Sequence, residues 1–474
     1  MFDFSGYEKY SYLFELFDKI SSIPRGSGNT SGIADYLVSF ARERGLEYLR
    51  DSQDNVIIRK KATPGLENAP AVILQGHSDI VAERSPDSDK DMLSEGLDLY
   101  RDGDFLRAHG TTLGADDGVA LVYALAVLDG RAEAHPDVEA VFTSDEETGL
   151  FGAAALDGRE LRGRLLLNID SDREGIFTVG CAGGMQVCVS MPVTRESYAK
   201  SAYKLTVSGL AGGHSGVDIH LRRENATHLL AEALSKLGEV RIASLSGGTK
   251  DNAIPRSAEC VFYSCEPKCP GTCEVFEPIL AKYREHEPEV SISLEAIACD
   301  AVPLDFDSSS RLIKLLYSLP TGIVAMSPHL KGEVETSLNL GITRLNDEEL
   351  SLSFYLRSSR EGATDALYSE IAKICSSLGA TATVVSSYPA WEYNPDSPLR
   401  ERLVSLYREK YGREPVVNTI HAGLECGIIA AKVEGLDCVS MGPDNYALHT
   451  TEEHLSMSSF VSVWEFLNDF LKQK

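Results

Sequence analysis

The sequence predicts an α/β fold: a domain with a mostly parallel sheet flanked by helices, interrupted by an inserted α+β domain. Three observations carry this expectation. Short apolar runs alternate with helical patterns over residues 1–190. The texture changes to period-two strands and amphipathic helices over 191–389, and the first texture returns over 390–474. Alternating strands and helices argue for helices laid on a parallel sheet. At 474 residues the chain also exceeds what one compact core accommodates.

The first residues, "MFDFSGYEKYSYLFELFDKISSIP", show a helical apolar period with acids and lysines scattered through it. They lack the basic end and uncharged core of a signal peptide. The runs "NVIIRK" (55–60), "AVILQGHSDI" (71–80), "VEAVFTSDEE" (138–147) and "RLLLNIDSD" (164–172) are strands that each end in polar or acidic residues. Between them "GVALVYALAVLDG" (118–130) is a buried helix. In the middle region, strands such as "YKLTVSG" (203–209) and "LSLSFYLRSS" (350–359) alternate with helices over 225–238 and 366–379. That pattern predicts an antiparallel sheet with helices on one face. A Pro- and aromatic-marked junction, "SSYPAWEYNPDSP" (386–398), precedes the helix "PLRERLVSLYREKYG", the strands "EPVVNTI" and "LDCVSMG", and a terminal helix.

Composition excludes several classes. The formal charge of −26 disfavours a nucleic-acid or anionic-membrane partner. No apolar run reaches the roughly 20 residues that span a bilayer, so a soluble cytoplasmic protein is expected. Ten cysteines in this length are too few for a disulfide scaffold. Cys265, Cys269 and Cys273 in "CEPKCPGTC" are spaced four apart, but no fourth ligand stands near, and the segment is treated as a loop.

Ligands of open α/β sheets sit at the carboxyl ends of the strands. Those ends and the loops beside them carry His77 and Asp79, Asp116 and Asp117, Asp145, Glu146 and Glu147, Asp170 and Asp172, and the late His449. Taken singly, each acid is explained as a helix cap or dipole partner. Together they pose a charge problem, because adjacent carboxylates at the end of a buried strand repel unless a positive charge lies among them. Five such groups suffice for two divalent cations sharing one carboxylate, and imidazole plus carboxylate suits zinc, with manganese or cobalt acceptable. Paired metals about 3.5–4 Å apart activate water for hydrolysis. Asp79, two residues after His77, is placed to hydrogen-bond that ligand's other ring nitrogen. One of the two glutamates can ligate while its neighbour takes a proton.

In this order and spacing, "GHSD", "GTTLGADDG", "SDEETG", "LLNIDSD", "HAGLECG" and His449 resemble the di-zinc aminoacylase/carboxypeptidase superfamily of metallopeptidases. "VGCAGGM", "AGGHSGVDIH", "DNAIPR", "VETSLNLG" and "HAGLECGI" resemble its bacterial aminoacyl-histidine (Xaa-His, cytosolic non-specific) dipeptidase branch, and the likeness runs over nearly the whole chain. The resemblance implies a catalytic domain of zinc-peptidase type over 1–190 and 390–474, with 191–389 as an inserted lid domain. It implies that Asp116 bridges the metals, that His77 and Asp170 complete one site, and that Glu147 and His449 complete the other. Glu146 would be the general base and Asp79 the residue orienting His77, with a cis peptide at Asp116–Asp117.

In the implied lid, His214 of "GGHSG" would stabilise the oxyanion, and Asn252 and Arg357 would hold the oxyanion or the substrate's terminal carboxylate. Read on their own, Arg357 suits a surface ion pair and Asn252 a turn. Glu425 of "HAGLECG" either reads a cationic or imidazole group on the substrate or caps the following helix, and Cys426 beside it is packing. Arg222 and Arg223 add local positive charge near His214. The expected activity is hydrolysis of short peptides such as Xaa-His or β-Ala-His by a metal-bridged hydroxide. N-acyl-amino-acid amidohydrolase or carboxypeptidase activity on the same centre, and a non-catalytic metal- or peptide-binding homologue, stand as alternatives. A homodimer is compatible with the sequence.

Overall fold

A sheet of eight strands forms the first of two units. Its strands are β1 (Glu47–Arg50), β2 (Val56–Lys60), β3 (Val72–His77), β4 (Val138–Thr143), β5 (Leu165–Asn168), β6 (Ile176–Cys181), β7 (Val416–Ile420) and β8 (Asp437–Ser440), in the spatial order β1-β2-β4-β3-β5-β8-β6-β7. The structure, a computed structural model, describes residues 3–265 and 274–473. Cys269 and Cys273 therefore lie outside the described residues, and no disulfide joins any of the eight described cysteines.

The pairs β4/β3, β3/β5 and β5/β8 are parallel, whereas β1/β2, β2/β4 and β8/β6 are antiparallel. The expectation of a mostly parallel sheet is corrected to a mixed sheet with a parallel centre. The cause is local: β1 and β2 are joined by a tight turn at 51–55, which permits only antiparallel pairing. Every residue of β3 and β4 is buried, as continuous apolar runs at the centre of a covered sheet require.

Helices cover this sheet: α1 (Ser11–Ser21), α2 (Ser31–Glu43), α3 (Ala115–Leu128), α4 (Pro398–Tyr411), α5 (Glu425–Lys432) and α6 (Met457–Leu471). α3 is apolar all round and buried throughout except at Asp116. It is enclosed between the sheet and α1 and α6, where Tyr123 stacks on Phe460 at 5.0 Å and donates to its carbonyl. Local signals set the helix ends. Ser397 caps the first turn of α4 beside Pro398, Gly412 closes it in the left-handed conformation, and Ser456 caps α6.

The second unit comprises Cys181–Glu392 and the short return Ile420–Gly423. Its nine-stranded sheet runs in the order Ser291–Ile297, Ser201–Ser208, Ala258–Ser264, Arg241–Gly247, Val334–Leu345, Glu349–Ser358, Gly183–Pro192, Thr381–Tyr388, with Gly322–Met326 also paired to Val334–Leu345. All of these pairings are antiparallel. Helices Ala226–Leu234, Phe306–Ser318 and Ala363–Ser377 bury Leu229, Leu230, Leu312, Leu315 and Ile371 in one core with the strands.

Candidate metal centre

Four loops of the first unit converge at the carboxyl ends of its parallel strands. His77 ends β3, Glu146 and Glu147 follow β4, Asp170 follows β5, and Asp116 opens α3. His449 arrives from the loop before α6 with φ +62°. The peptide Asp116–Asp117 is cis, and neither residue has helical φ/ψ, so the regular helix begins at Gly118.

Asp116 stands at the middle. Its Oδ1 lies 2.9 Å from His77 Nε2 and its Oδ2 3.1 Å from His449 Nε2. Asp170 Oδ1 is 3.6 Å from the same His77 nitrogen, and Glu147 Oε1 is 3.1 Å from the same His449 nitrogen. Two ligand groups result, His77–Asp116–Asp170 and Asp116–Glu147–His449, each with ligand atoms within 4.8 Å of one another. A third overlapping group joins His77 to Glu146 and Glu147.

The donor set fits divalent cations. His77 Nδ1 lies 3.0 Å from the Asp79 carbonyl, which can only accept. The proton on Nδ1 is thereby fixed, which leaves Nε2, on the side of the carboxylates, as the nitrogen that would ligate a cation in exchange for its own proton. Glu147 Oε1 is buried and has His449 Nε2 3.1 Å away, which suits an oxygen and a ring nitrogen that could share a cation.

The expectation for Asp79 changes in detail. Its backbone carbonyl is the nearer partner of His77, and the carboxylate stands at 3.5 Å. That carboxylate instead accepts from the amides of Glu146 (3.1 Å) and Glu147 (3.4 Å) and from Ser27 Oγ (2.8 Å). One residue thus orients the histidine through its main chain and the glutamate loop through its side chain, because β3 ends at His77 and the chain turns there. Asp145 leaves the centre altogether and accepts from Gly28 N at 2.6 Å.

Electrostatics follow from crowding acids in a buried place. Burial opposes a charge on His77, but the carboxylates of Asp116, Asp170 and Asp79 outweigh it and hold the imidazole well above its usual range. Hydrogen bonding to Asp116 and Glu147 raises His449 to about 10. Burial raises Asp170 to about 6. Glu146 is raised well above the usual carboxyl range by burial, with repulsion from Asp170, Glu425 and Glu147 added and the attraction of His77 opposing. Burial likewise raises Asp117 and Asp172.

Glu425 sits neither as a cap nor as an exposed reader of substrate. It is the first residue of α5, with Leu424 at the cap position. Its carboxyl is 0% exposed and accepts from Gln75 Nε2 (2.5 Å) and Thr143 Oγ1 (2.6 Å) on β3 and β4. Cys426 beside it is packed in the core.

The other expected residues lie in the second unit. The two-stranded pairing of Gly213–His214 with Ala253–Ile254 sets His214 beside Asn252, whose carbonyl accepts from Ser215 N at 2.8 Å. Arg357 is 4% exposed rather than a surface ion-pair residue. It packs over the Tyr355 ring at 4.3 Å and donates to Tyr388 Oη at 3.3 Å, while its Nε makes no hydrogen bond. Burial and the nearby Arg357 charge lower His214. Arg222 is exposed, and Arg223 is tied to the Gly212 carbonyl and to Asp218.

Sequence reasoning missed His421 here. The return Ile420–Gly423 places its Nε2 2.7 Å from Ser337 Oγ, and burial with the Arg357 charge lowers it to about 4. It also missed Arg25 and Glu453, which hold backbone rather than side chains.

Similarity to known proteins agrees with this arrangement. The model of peptidase family M20/M25/M40 matches residues 73–473. The chain is 34% identical over 470 residues to the cytosol non-specific dipeptidase of Escherichia coli (strain K12), covering 97% of each. It is 34% identical to the aminoacylhistidine dipeptidase of Vibrio alginolyticus, whose crystal structure superposes with a TM-score of 0.92 over 98% of this chain and 96% of that one. An aminopeptidase from Bacillus cereus, 16% identical, shares the fold at a TM-score of 0.56 over 97% of both chains. The chain belongs to peptidase family M20/M25/M40.

Proposed function

We propose that the protein is a metal-dependent dipeptidase that hydrolyses Xaa-His dipeptides, including β-Ala-His, with two divalent cations, zinc first among them. The observation that carries this is Asp116, whose two oxygens face two different imidazoles at 2.9 and 3.1 Å. A carboxylate so placed suits a bridge, with His77 and Asp170 holding one cation and Glu147 and His449 the other. Bound there, two cations would polarise the amide carbonyl and make water nucleophilic at neutral pH. The names of the relatives support the substrate class.

The chain's own residues supply the rest. Glu146 is not needed to complete either group and stands next to Glu147 on the same loop, which suits taking a proton from water and delivering it to the leaving nitrogen. Asp79 fixes the Glu146 and Glu147 amides, so the base and the ligand move as one loop. In the second unit, Arg357 has an unused Nε beside Tyr388 and is suited to a terminal carboxylate. His214 and Asn252 belong with it, and the second unit acts as the lid in this proposal. A cytoplasmic location is inferred from the relative's name. Among the described residues no helix is long and apolar enough to cross a membrane.

The test is hydrolysis of β-Ala-His and of a second Xaa-His dipeptide by chelated protein before and after zinc is restored. Turnover should vanish on chelation and return with zinc. Zinc bound at two per chain with neither dipeptide cleaved would overturn the substrate assignment. Turnover indifferent to chelation would overturn the metal centre.

A further inference from the structure

Beneath the bridging aspartate lies a pair of buried ions that no part of the chemistry above uses. Glu453, 3% exposed, stands four residues after His449. Its Oε2 accepts from Leu113 N (2.8 Å) and Gly114 N (2.9 Å), and its Oε1 from Ala115 N (2.9 Å) and Asp116 N (3.3 Å). Asn445 Nδ2 adds a fifth donor at 3.3 Å. These four consecutive amides precede the regular helix, whose ladder does not reach them, and one carboxylate closes all of them.

On the same loop, Arg25, 1% exposed, donates through Nη2 to the Gly114 carbonyl at 2.6 Å. Through Nη1 it donates to the carbonyls of Ser78 (3.1 Å) and Asp79 (3.3 Å). Its own main chain pairs with the same segment, the Ile80 amide donating to the Arg25 carbonyl at 3.1 Å. Gly114 adopts φ +66°, and a Cβ there would stand 2.9 Å from Ile80 Cγ2 and 3.1 Å from Arg25 Nη2, so the loop is closely gripped. Arg25 therefore joins the loop before Asp116 to the turn after His77, and Glu453 joins it to the loop that carries His449.

We infer that Glu453 and Arg25 are positioning residues that set the orientation of Asp116, so that its two oxygens face His77 and His449 together. The inference rests on the two-cation reading of the centre. A single fixed orientation is what sharing one carboxylate demands, since a rotation that favours one imidazole withdraws the other oxygen. A buried carboxylate that accepts from five donors fixes geometry, whereas a neutral amide in its place would present N–H groups to N–H groups. Outer partners of this kind typically change metal affinity by about 10–100-fold.

The experiment is zinc binding to metal-free full-length protein by competition with a chromophoric chelator, for the wild type, E453Q and E453D, with fold monitored by circular dichroism. The wild type should take two zinc ions per chain. E453Q should keep its fold but bind at least one zinc about 10–100-fold more weakly, with E453D intermediate because it keeps both acceptors on a shorter arm. A folded E453Q with both affinities within twofold of the wild type would overturn the inference, even if its melting temperature falls. Should E453Q not fold, E453D decides, and wild-type affinities in folded E453D overturn it. A wild type that binds no zinc sinks the two-cation reading, and the inference falls with it.

Discussion

The fully buried carboxyl of Glu425 ties the electrostatics of the centre to measurable stability. It accepts from Gln75 and Thr143 through one oxygen, and the other, Oε1, makes no hydrogen bond. Burial, with repulsion from Asp170, pushes it from 4.5 up to about 7, against the attraction of His77 and the two hydrogen bonds. The sign follows from linkage. A carboxyl held above its unfolded value binds its proton more tightly when folded, so its contribution is fully present below pH 4.5 and is lost as pH rises through 7. Ionising it in place therefore destabilises the metal-free unit by roughly 3 kcal/mol at pH 8.

Glu425→Gln keeps the shape and removes the ionisation. In chelated protein E425Q should melt on the order of 5–10 °C above the wild type at pH 8, with the advantage gone near pH 5, read by differential scanning calorimetry across pH. Restoring zinc should shrink the gap, because cations beside Asp170 and His77 stabilise the ionised wild-type group. An E425Q advantage of equal size at pH 5 and pH 8 would refute the reasoning, as would none at pH 8.

Three further outcomes are expected. E146Q should lower dipeptide turnover by about 10²–10⁴-fold at unchanged zinc content by elemental analysis, and wild-type turnover would remove Glu146 as the base. In G76A the added Cβ would lie 2.1 Å from Asp117 Oδ2 and 2.2 Å from Ala120 Cβ. β3 must then shift from α3 at about 1–3 kcal/mol, and an unchanged melting temperature would contradict that packing. His421 is held at about 4 against its ordinary 6.5, so its contribution to folding is present above pH 6.5 and is lost as pH falls through 4. Urea unfolding should show roughly 3 kcal/mol of that loss flattened in H421Q, and an unaltered slope would count against it.

What was legible in the sequence divides along physical lines. β3, β4 and α3 announce themselves because continuous burial requires continuous apolar runs, and "AVIL" or "ALVYALAVL" can satisfy nothing else. The antiparallel edge of the first sheet was less visible, because direction is set by the short connection at 51–55 and not by the composition of β1 or β2. His77, Asp116, Glu147, Asp170 and His449 could be collected because strand ends and loops are where chemistry gathers, and the structure brings all five together.

The residues that escaped share a different property. Arg25 and Glu453 act on main-chain groups, and the Asp79 carbonyl that meets His77 is itself one; every residue in a chain carries those, so no motif marks the pairing. Glu453 was in plain view within "ALHTTEE", yet nothing local distinguishes it from Glu452, which lies in solvent. Only the fold, by carrying 453 back to the amides of 113–116, separates the two. His421 escaped for a related reason: its pairing with Ser337 depends on four residues returning to the second unit between two elements of the first. The side chains that could hold a cation here are acids and imidazoles, which can be counted from sequence. The groups that aim them need only offer a charge to a peptide bond, and their identity is decided by where the backbone passes.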